Sequence, residues 1–163
     1  MLPQTLKIVN SSPHPDPVYA HKGDSGFDLR CWIKEEDIDD DKKSYRKKIV
    51  LEPFERRLFH TGIYLGIPKG TEIQIRSRSG MALNNGIIVL NTPGTVDSTY
   101  VNEIKVILYN ASTRPVTIED GDRIAQAVLM PVYSSEDVEL VKVDKIEENN
   151  DRNLNGFGST GVK

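Results

Sequence analysis

The sequence predicts an all-β domain with one short helix. Its apolar residues fall into short runs, most of which are rich in β-branched or aromatic residues and too short for a helix. Turn-forming residues separate the runs, as at Pro68 to Gly70, Asn84 to Gly86 and Asp120 to Asp122. Many short strands with such punctuation are typical of a sandwich, a jelly roll or a small barrel. The length of 163 residues fits one compact domain.

Each apolar or alternating run is a candidate strand. In chain order the runs are LKIV (6–9), GFDLRCW (26–32), KIVL (48–51), LFHTGIYLGI (58–67), TEIQI (71–75), GIIVL (86–90), EIKVILY (103–109), RIAQAVLM (123–130) and VELVKV (138–143). Within 103–109, Ile104, Val106 and Leu108 alternate with Lys105, which predicts one face against the core. Only the stretch Ser79 to Asn84 indicates a helical turn, with Ser79 as its N-cap.

Two segments differ from this strand-and-turn pattern. KEEDIDDDKKSYRKK (34–48) is an acidic block that runs into a basic one, and it predicts a solvated hairpin or loop whose halves pair. After Val143 the chain becomes polar and rich in Gly and Asn, as chain termini often are. A tail of about 20 residues spans on the order of 60 Å when extended, enough to reach a neighbouring subunit. We therefore expect a core domain over 1–143 and a flexible C-terminal arm over 144–163.

The composition excludes several classes of protein. With 21 basic and 24 acidic residues the net charge is -3, so the clustered positive surface that duplex nucleic acid requires is not expected. No apolar run approaches the roughly 18 residues of a membrane span, and the first residues lack the pattern of a signal peptide. Cys31 is the only cysteine, which favours a reducing cytoplasm. Three scattered histidines and one cysteine do not make a structural zinc site.

The glycine-rich stretch GFGSTG (156–161) formally matches a dinucleotide fingerprint, but it has no helix to precede because the chain ends two residues later. Its glycines and hydroxyls could still wrap a phosphate, with Arg152 adding charge-assisted bonds. Taken alone, however, such a stretch is more often a plain linker. Arg78, Ser79 and Gly80 lie where a strand gives way to a helical turn, which suits an anion. The simpler alternative for them is a surface arginine beside an ordinary cap.

The other polar residues that could carry chemistry also have simple structural explanations. Asp97 and Tyr100 lie in a loop that turns back into a strand, where an Asp usually forms a turn and a Tyr usually packs. Asp24 and Asp28 lie in a glycine-containing segment. Gln126 is an amide among apolar neighbours and needs a partner if it is buried.

Five segments together resemble the trimeric all-β dUTP diphosphatase (dUTPase) family. They are, in order, AHKGDSGFDL, RSGMA, GTVDSTYVNEI, RIAQAV and RNLNGFGSTG, spread from Ala20 to Gly161. The resemblance implies a jelly-roll-like distorted β-barrel and a homotrimer with shared active sites. It also implies hydrolysis of dUTP to dUMP and pyrophosphate with Mg²⁺.

The resemblance assigns roles to individual residues. Asp97 matches the general base for the attacking water, Tyr100 the residue that packs on the deoxyribose, and Asp28 an acid near the metal that holds its waters. The uracil pocket corresponds to the hairpin and its surroundings: Asn91, Gly94, Thr95, Val96, Lys105 and, through water, Gln126. The phosphate binders correspond to Arg78, Ser79 and Gly80. In the arm, Phe157 would stack on uracil, and the residues closing over the phosphates would be Arg152, Gly158, Ser159 and Thr160.

Departures from the family pattern are few, and two other functions stay open. Asn102 stands where the family often has Gly, so a positive φ is expected there. A dCTP deaminase of the same fold is one alternative, in which Glu103 would be the acid/base. A catalytically silent nucleotide-binding or regulatory module is the other.

Overall fold

A computed structural model describes residues 4–37 and 47–146 of the chain. The described residues form ten strands, one α-helix and a 3-10 turn over Glu35–Asp37. In chain order the elements are β1 (Lys7–Asn10), β2 (Gly26–Arg30), β3 (Lys48–Leu51), β4 (Arg56–Gly66), β5 (Thr71–Arg76), α1 (Ser79–Asn85), β6 (Ile87–Val89), β7 (Gly94–Val96), β8 (Ile104–Asn110), β9 (Val116–Glu119) and β10 (Arg123–Pro131). The predicted all-β class with one short helix is confirmed.

The strands form three antiparallel sheets. The first has the order β1-β4-β8-β6, the second the order β2-β10-β5-β7, and the third pairs β3 with β9. Neighbouring strands are far apart in the chain, as in β2 and β10, where Asp28 faces Gln126 across the pair. Sequence-distant residues are therefore brought side by side on the faces of the second sheet.

A single apolar cluster holds the sheets together. Ile104, Val106 and Leu108 on β8 are at most 2% exposed, and Lys105 between them is exposed, so the predicted core face of this strand is confirmed. The cluster also takes residues from the second and third sheets, such as Leu29 and Ile118. Each fully buried aliphatic side chain contributes about 1.5–3 kcal/mol relative to an exposed one.

The chain divides into two compact units, Met1–Tyr133 and Ser134–Lys163. All ten strands lie in the first unit. The predicted strand over 138–143 in the second unit is wrong, because these residues form no strand and Leu140 is 95% exposed. An alternating run becomes a strand only when it pairs and buries one face, and neither happens there among the described residues. The proposed division into a core over 1–143 and an arm over 144–163 stays a prediction.

Several local predictions need correction. Ser79 is the first helical residue and not the N-cap; Arg78 holds that position with no side-chain cap bond, and the helix ends at left-handed Gly86 (φ +68°). Among the described residues Phe54 is the only non-glycine with a positive φ, so the positive φ expected at Asn102 is wrong. Strands β7 and β9 were not predicted; they form by pairing with β5 and β3, which no local pattern in the sequence indicates. Of the charged segment 34–48, residues 38–46 lie outside the described ranges.

No helix within the described ranges is long and apolar enough to cross a membrane.

Candidate active site

An ion-pair cluster of Asp28, Arg78 and Arg123 lies on the outer face of the second sheet. Asp28 points away from the core because its neighbours on β2, Phe27 and Leu29, are buried. Arg78 donates from Nε to Asp28 Oδ1 at 2.9 Å, and Arg123 donates from Nη1 to Oδ2 at 3.1 Å. Arg78 also donates to the carbonyl oxygen of Arg123 at 2.9 Å. Two guanidinium groups share one carboxylate, so the cluster keeps a net positive charge and suits an anion.

Gln126 connects this face of the sheet to Ser77, which lies between β5 and the helix. Its Nε2 donates to the carbonyl oxygen of Ser77 at 2.9 Å, which supplies the partner that the sequence required. The Ser77 hydroxyl in turn accepts the backbone N–H of Val89 at 2.9 Å. These bonds fix the segment from which Arg78 projects. Ser79 and Gly80 follow it and are exposed, and an added Cβ at Gly80 would meet nothing within 4 Å.

Two hollows flank the cluster. One of about 410 Å³ is lined by Asp28, Gln126 and residues of the segment 12–26, and a second of about 340 Å³ is lined by Arg78 and residues of β9. Arg30 and Arg123 line both. Volumes of this order are typical of small-molecule sites.

The segment 91–96, predicted as part of a hairpin that forms the uracil pocket, runs from the end of β6 through β7 and is called the uracil segment. The predicted hairpin is not formed, because β7 pairs with β5 alone and β6 pairs with β8. The uracil segment contains a cis Thr92–Pro93 peptide bond, and Gly94 pairs with Ile75 on β5. A Cβ at Gly94 would lie 3.1 Å from Asn91 Nδ2, so the glycine lets the amide approach the backbone. Asn91 and Thr95 are exposed, whereas Val96 is buried and faces the core. Val96 can therefore offer a ligand only its backbone.

The 97–103 loop, between β7 and β8, carries the predicted base and sugar contact. Asp97 is exposed, and its carbonyl oxygen accepts the N–H of Tyr100 at 3.0 Å. The Tyr100 ring is 40% exposed, and its hydroxyl donates to the carbonyl oxygen of Glu103 at 3.0 Å. Lys105 is exposed on β8 directly opposite His60.

The structure brings some of the predicted residues together and not others. Asp28, Arg78 and Gln126 share one face with Ser79 and Gly80 beside them. The uracil segment and the 97–103 loop lie at the β7 edge of the same sheet, where β7 pairs with β5. Within the described residues no hydrogen bond or ion pair joins the Asp97 carboxylate to the cluster, and Asp97 lines neither hollow. The predicted arm residues lie outside the described ranges: Arg152, Phe157, Gly158, Ser159 and Thr160.

Arg123 is absent from the residues predicted for the site, and Glu103 is named there only as the acid/base of the dCTP deaminase alternative. Arg123 shares Asp28 with Arg78, and the signal for it was present because RIAQAV begins with that arginine. Glu103 is 8% exposed and binds His60 and the backbone of β4. Burial alone would raise the pKa of Glu103, but the hydrogen bonds from His60 and from the β4 amides outweigh it and hold the pKa below its ordinary value.

A direct metal centre is not formed by the described residues, which contain no group of three or more His, Cys, Asp or Glu side chains placed to hold an ion. Asp28 is the carboxylate of the cluster, and both of its oxygens already accept from arginines.

A sequence profile of the dUTPase family matches residues 43–161, which is most of the chain. The chain belongs to the dUTPase family. It is 48% identical over 147 residues to the deoxyuridine 5'-triphosphate nucleotidohydrolase of a Hydrogenobaculum species, with 90% of each chain covered. It is 43% identical over 156 residues to the enzyme of the same name from Finegoldia magna, covering 96% of this chain and 98% of that one.

Solved dUTPase-family structures share the fold. A mutant dUTPase of Staphylococcus bacteriophage 80alpha with dUpNHpp superposes with a TM-score of 0.78 at 24% identity, covering 98% of this chain and 100% of that one. A mutant dUTPase of phage phi11 of S. aureus, solved to reveal the coordination of a structural Mg(II) ion, gives a TM-score of 0.71 at 22% identity, covering 89% of this chain and 100% of that one. The predicted family and its all-β fold are confirmed.

Proposed function

We propose that this dUTPase-family enzyme hydrolyses dUTP to dUMP and pyrophosphate by attack of water on the α-phosphate. The observation that carries the proposal is the identity of 43–48% over at least 90% of the chain to proteins named deoxyuridine 5'-triphosphate nucleotidohydrolases. The positive cluster and the exposed carboxylate of the 97–103 loop supply groups that this reaction needs.

The triphosphate would bind at the Asp28–Arg78–Arg123 cluster. Arg78 is held by Asp28 and by the carbonyl of Arg123, so its guanidinium is oriented before a ligand arrives. A pre-oriented donor needs no reorganisation when charge develops on phosphate oxygens, which is how such groups accelerate a reaction. Ser79 and Gly80 would add a hydroxyl and backbone N–H groups beside it.

Uracil would be bound by the uracil segment over 91–96. Gly94, Thr95 and Val96 form a short strand paired on one side to β5, so their N–H and C=O directions are fixed. Fixed groups that complement uracil leave unpaired polar atoms when cytosine binds, which can cost 10⁴-fold or more. Asn91, Lys105 and, through a water, Gln126 would complete this pocket. Tyr100 would pack on the deoxyribose and leave no room for a 2′-hydroxyl.

Asp97 would act as the general base. Its carboxylate is exposed, and no hydrogen bond to it is found among the described residues, so its oxygens are available to orient a water and take its proton. General-base catalysis contributes typically 10²–10⁴-fold, and the rest of the acceleration must come from positioning and charge.

A homotrimer would complete the site. Among the described residues no hydrogen bond or ion pair joins the Asp97 carboxylate to the cluster, so we propose that the uracil segment and the 97–103 loop of one subunit face the cluster of another. The arm over 144–163 would then close over the nucleotide, with Phe157 on uracil, and with the phosphates held by Arg152, Gly158, Ser159 and Thr160. A closed arm excludes water and completes the phosphate contacts only when a triphosphate is bound.

Mg²⁺ fits this site as an ion held chiefly by the substrate. Mg²⁺ prefers oxygen ligands and keeps several of its waters, and proteins often bind it through one or two carboxylates together with substrate phosphates. Asp28, already engaged by two arginines, would contact such waters and not the ion itself. When bound, Mg²⁺ supplies charge neutralisation on the phosphate oxygens.

The cytoplasm is the proposed location. Cys31 is a free, buried thiol, and its burial raises its pKa to about 12. A lone buried thiol needs no oxidising compartment.

A panel of nucleoside triphosphates with Mg²⁺ tests the reaction. Pyrophosphate and ammonia are measured together for dUTP, dCTP, dTTP and UTP. We expect pyrophosphate from dUTP alone. Ammonia from dCTP would replace the proposal with a deaminase, and binding of dUTP without any product would replace it with a silent nucleotide-binding module.

A mixing experiment tests the shared site. Asp97→Asn and Arg78→Ala proteins are unfolded, mixed and refolded together, and the activity is compared with that of each variant alone. If each site takes Asp97 and Arg78 from different subunits, some mixed trimers contain an intact site and activity returns. Mixtures with no more activity than the separate variants would contradict the shared arrangement.

A further inference from the structure

A buried carboxylate anchors the loop that carries Asp97 and Tyr100. Glu103 Oε1 accepts the backbone N–H groups of Thr61 and Gly62 at 3.1 and 2.9 Å, and its Oε2 lies 2.8 Å from His60 Nδ1. The three partners are consecutive on β4, where the pairing with β8 shifts register between His60 and Ile63. Glu103 thereby satisfies two N–H groups that the irregular register leaves without a strand partner.

The β4 irregularity is itself rigid. Gly62 has φ +70°, and an added Cβ there would lie 2.8 Å from the backbone nitrogen of Ser12 and 2.9 Å from the Trp32 ring. The backbone of Trp32 also donates to the carbonyl oxygen of His60 at 2.8 Å. Because Ser12 and Trp32 hold β4 at this point, the His60 side chain meets the Glu103 carboxylate in a fixed position.

The same glutamate holds the loop through its backbone. The Tyr100 hydroxyl donates to the carbonyl oxygen of Glu103, and the Tyr100 N–H donates to the carbonyl oxygen of Asp97, each at 3.0 Å. Asp97 and Tyr100 are themselves exposed, so their positions depend on these few bonds. A displacement of Glu103 would therefore be passed to both residues.

His60 completes the anchor because an ionised carboxylate can only accept hydrogen bonds. The 2.8 Å contact requires that His60 carry its proton on Nδ1, and both side chains are largely withdrawn from water, with 18% and 10% exposed. A hydrogen bond to a buried charged group is stronger than one between neutral groups. Loss of this donor leaves Glu103 Oε2 unsatisfied and free to rotate away.

We propose that His60 is a positioning residue that, through Glu103, sets the place of the Tyr100 ring and with it the preference for deoxyribonucleotides over ribonucleotides. This inference rests on the proposed function, in which Tyr100 excludes the 2′-hydroxyl. It concerns sugar selection and not the chemistry at phosphorus.

Two substitutions of equal polarity separate this role from a general effect on folding. In His60→Asn the amide nitrogen can take the place of Nδ1 and donate to Glu103, whereas in His60→Gln it lies further out, near the place of Nε2. The ratio of kcat/KM for dUTP to that for UTP is measured with both, beside the melting temperature. His21→Gln is the control, since His21 is exposed and lines neither hollow.

We expect His60→Gln to lower the dUTP/UTP ratio about tenfold, mainly through a higher KM for dUTP, and His60→Asn to keep it within about twofold of wild type. A lower melting temperature with an unchanged ratio in His60→Gln would overturn the proposal, since His60 would then only support the fold. Equal loss in both variants would overturn it too.

Two measurements without turnover distinguish failure of this inference from failure of the proposed function. Nitrogen NMR of the full chain should show His60 protonated on Nδ1; a bare Nδ1 would overturn the anchor. Calorimetric titration with dUMP and UMP should show the same loss of preference in His60→Gln. If wild type hydrolyses no dUTP but prefers dUMP over UMP, and His60→Gln loses that preference, sugar selection by His60 stands while the proposed reaction fails. An unchanged preference, or no preference in wild type, overturns the inference.

Discussion

Replacing Gly62 by alanine should destabilise the protein strongly, because two separate costs meet at this residue. The first is conformational: at φ +70° a side chain costs about 1–2 kcal/mol relative to glycine. The second is steric, since the new Cβ would lie 2.8 Å from backbone and side-chain atoms of Ser12 and 2.9 Å from the Trp32 ring. Forcing an extra carbon into a packed site typically costs about 1–3 kcal/mol. The expected total is about 2–5 kcal/mol.

Gly70→Ala is the matched control. Gly70 has nearly the same backbone angle, φ +74°, but an added Cβ there would meet nothing within 4 Å. It therefore carries the conformational cost alone. Both variants are unfolded in urea at one protomer concentration, because the proposed trimer would make apparent stability depend on concentration. The free energy of unfolding of Gly62→Ala should be about 1–3 kcal/mol lower than that of Gly70→Ala, and its dependence on urea concentration should be the same. Equal stability of the two variants would refute the steric argument at Gly62.

Two further predictions concern strain and acid stability. Phe54→Gly should raise the free energy of unfolding by about 0.5–1 kcal/mol, because Phe54 is 61% exposed and holds φ +62°. Phe54→Ala is the control, since it removes the same ring without relieving the backbone angle. An equal rise in the stability of Phe54→Ala, measured by thermal or urea unfolding, would contradict the explanation. The folded-state pKa of Glu103 lies below its ordinary value, so its stabilisation is present above the ordinary glutamate pKa and is lost as the pH falls through the folded-state value. Wild type should therefore have a higher melting temperature than Glu103→Gln at neutral pH, and the two melting temperatures should converge in acid. A constant difference across that pH range would show that the ionised Glu103 carboxylate does not stabilise the fold.

The fold was largely predictable because its signals are local. The alternation on β8 and the turn signals at Gly70 and Gly86 depend on neighbouring residues. The structure confirms the buried face of β8 and places both glycines at positive φ. The four-residue strand β9 was not, since it exists through pairing with β3, more than 60 residues earlier in the chain. The strand predicted over 138–143 is wrong for a related reason. Its alternation is local, but no described strand pairs with it, and its apolar side chains stay exposed.

For the candidate site, the sequence indicates residue types but not the contacts between them. Asp28 and Arg78 were singled out, but their shared ion pair with Arg123 joins residues 50 and 95 positions apart. The His60–Glu103 contact likewise spans 43 positions. Such pairs depend on the order of strands in the sheets, which no local pattern in a single sequence reports.

The most direct measurement is pyrophosphate release from dUTP by Asp97→Asn, with dUTP affinity determined beside it. Asparagine keeps the size of the side chain but cannot take a proton, so we predict at least about a 100-fold lower kcat with affinity within about threefold of wild type. Glu52→Gln, which removes an exposed carboxylate from the turn before β4, should turn over normally. Near-normal turnover by Asp97→Asn would contradict the assignment of Asp97 as the base.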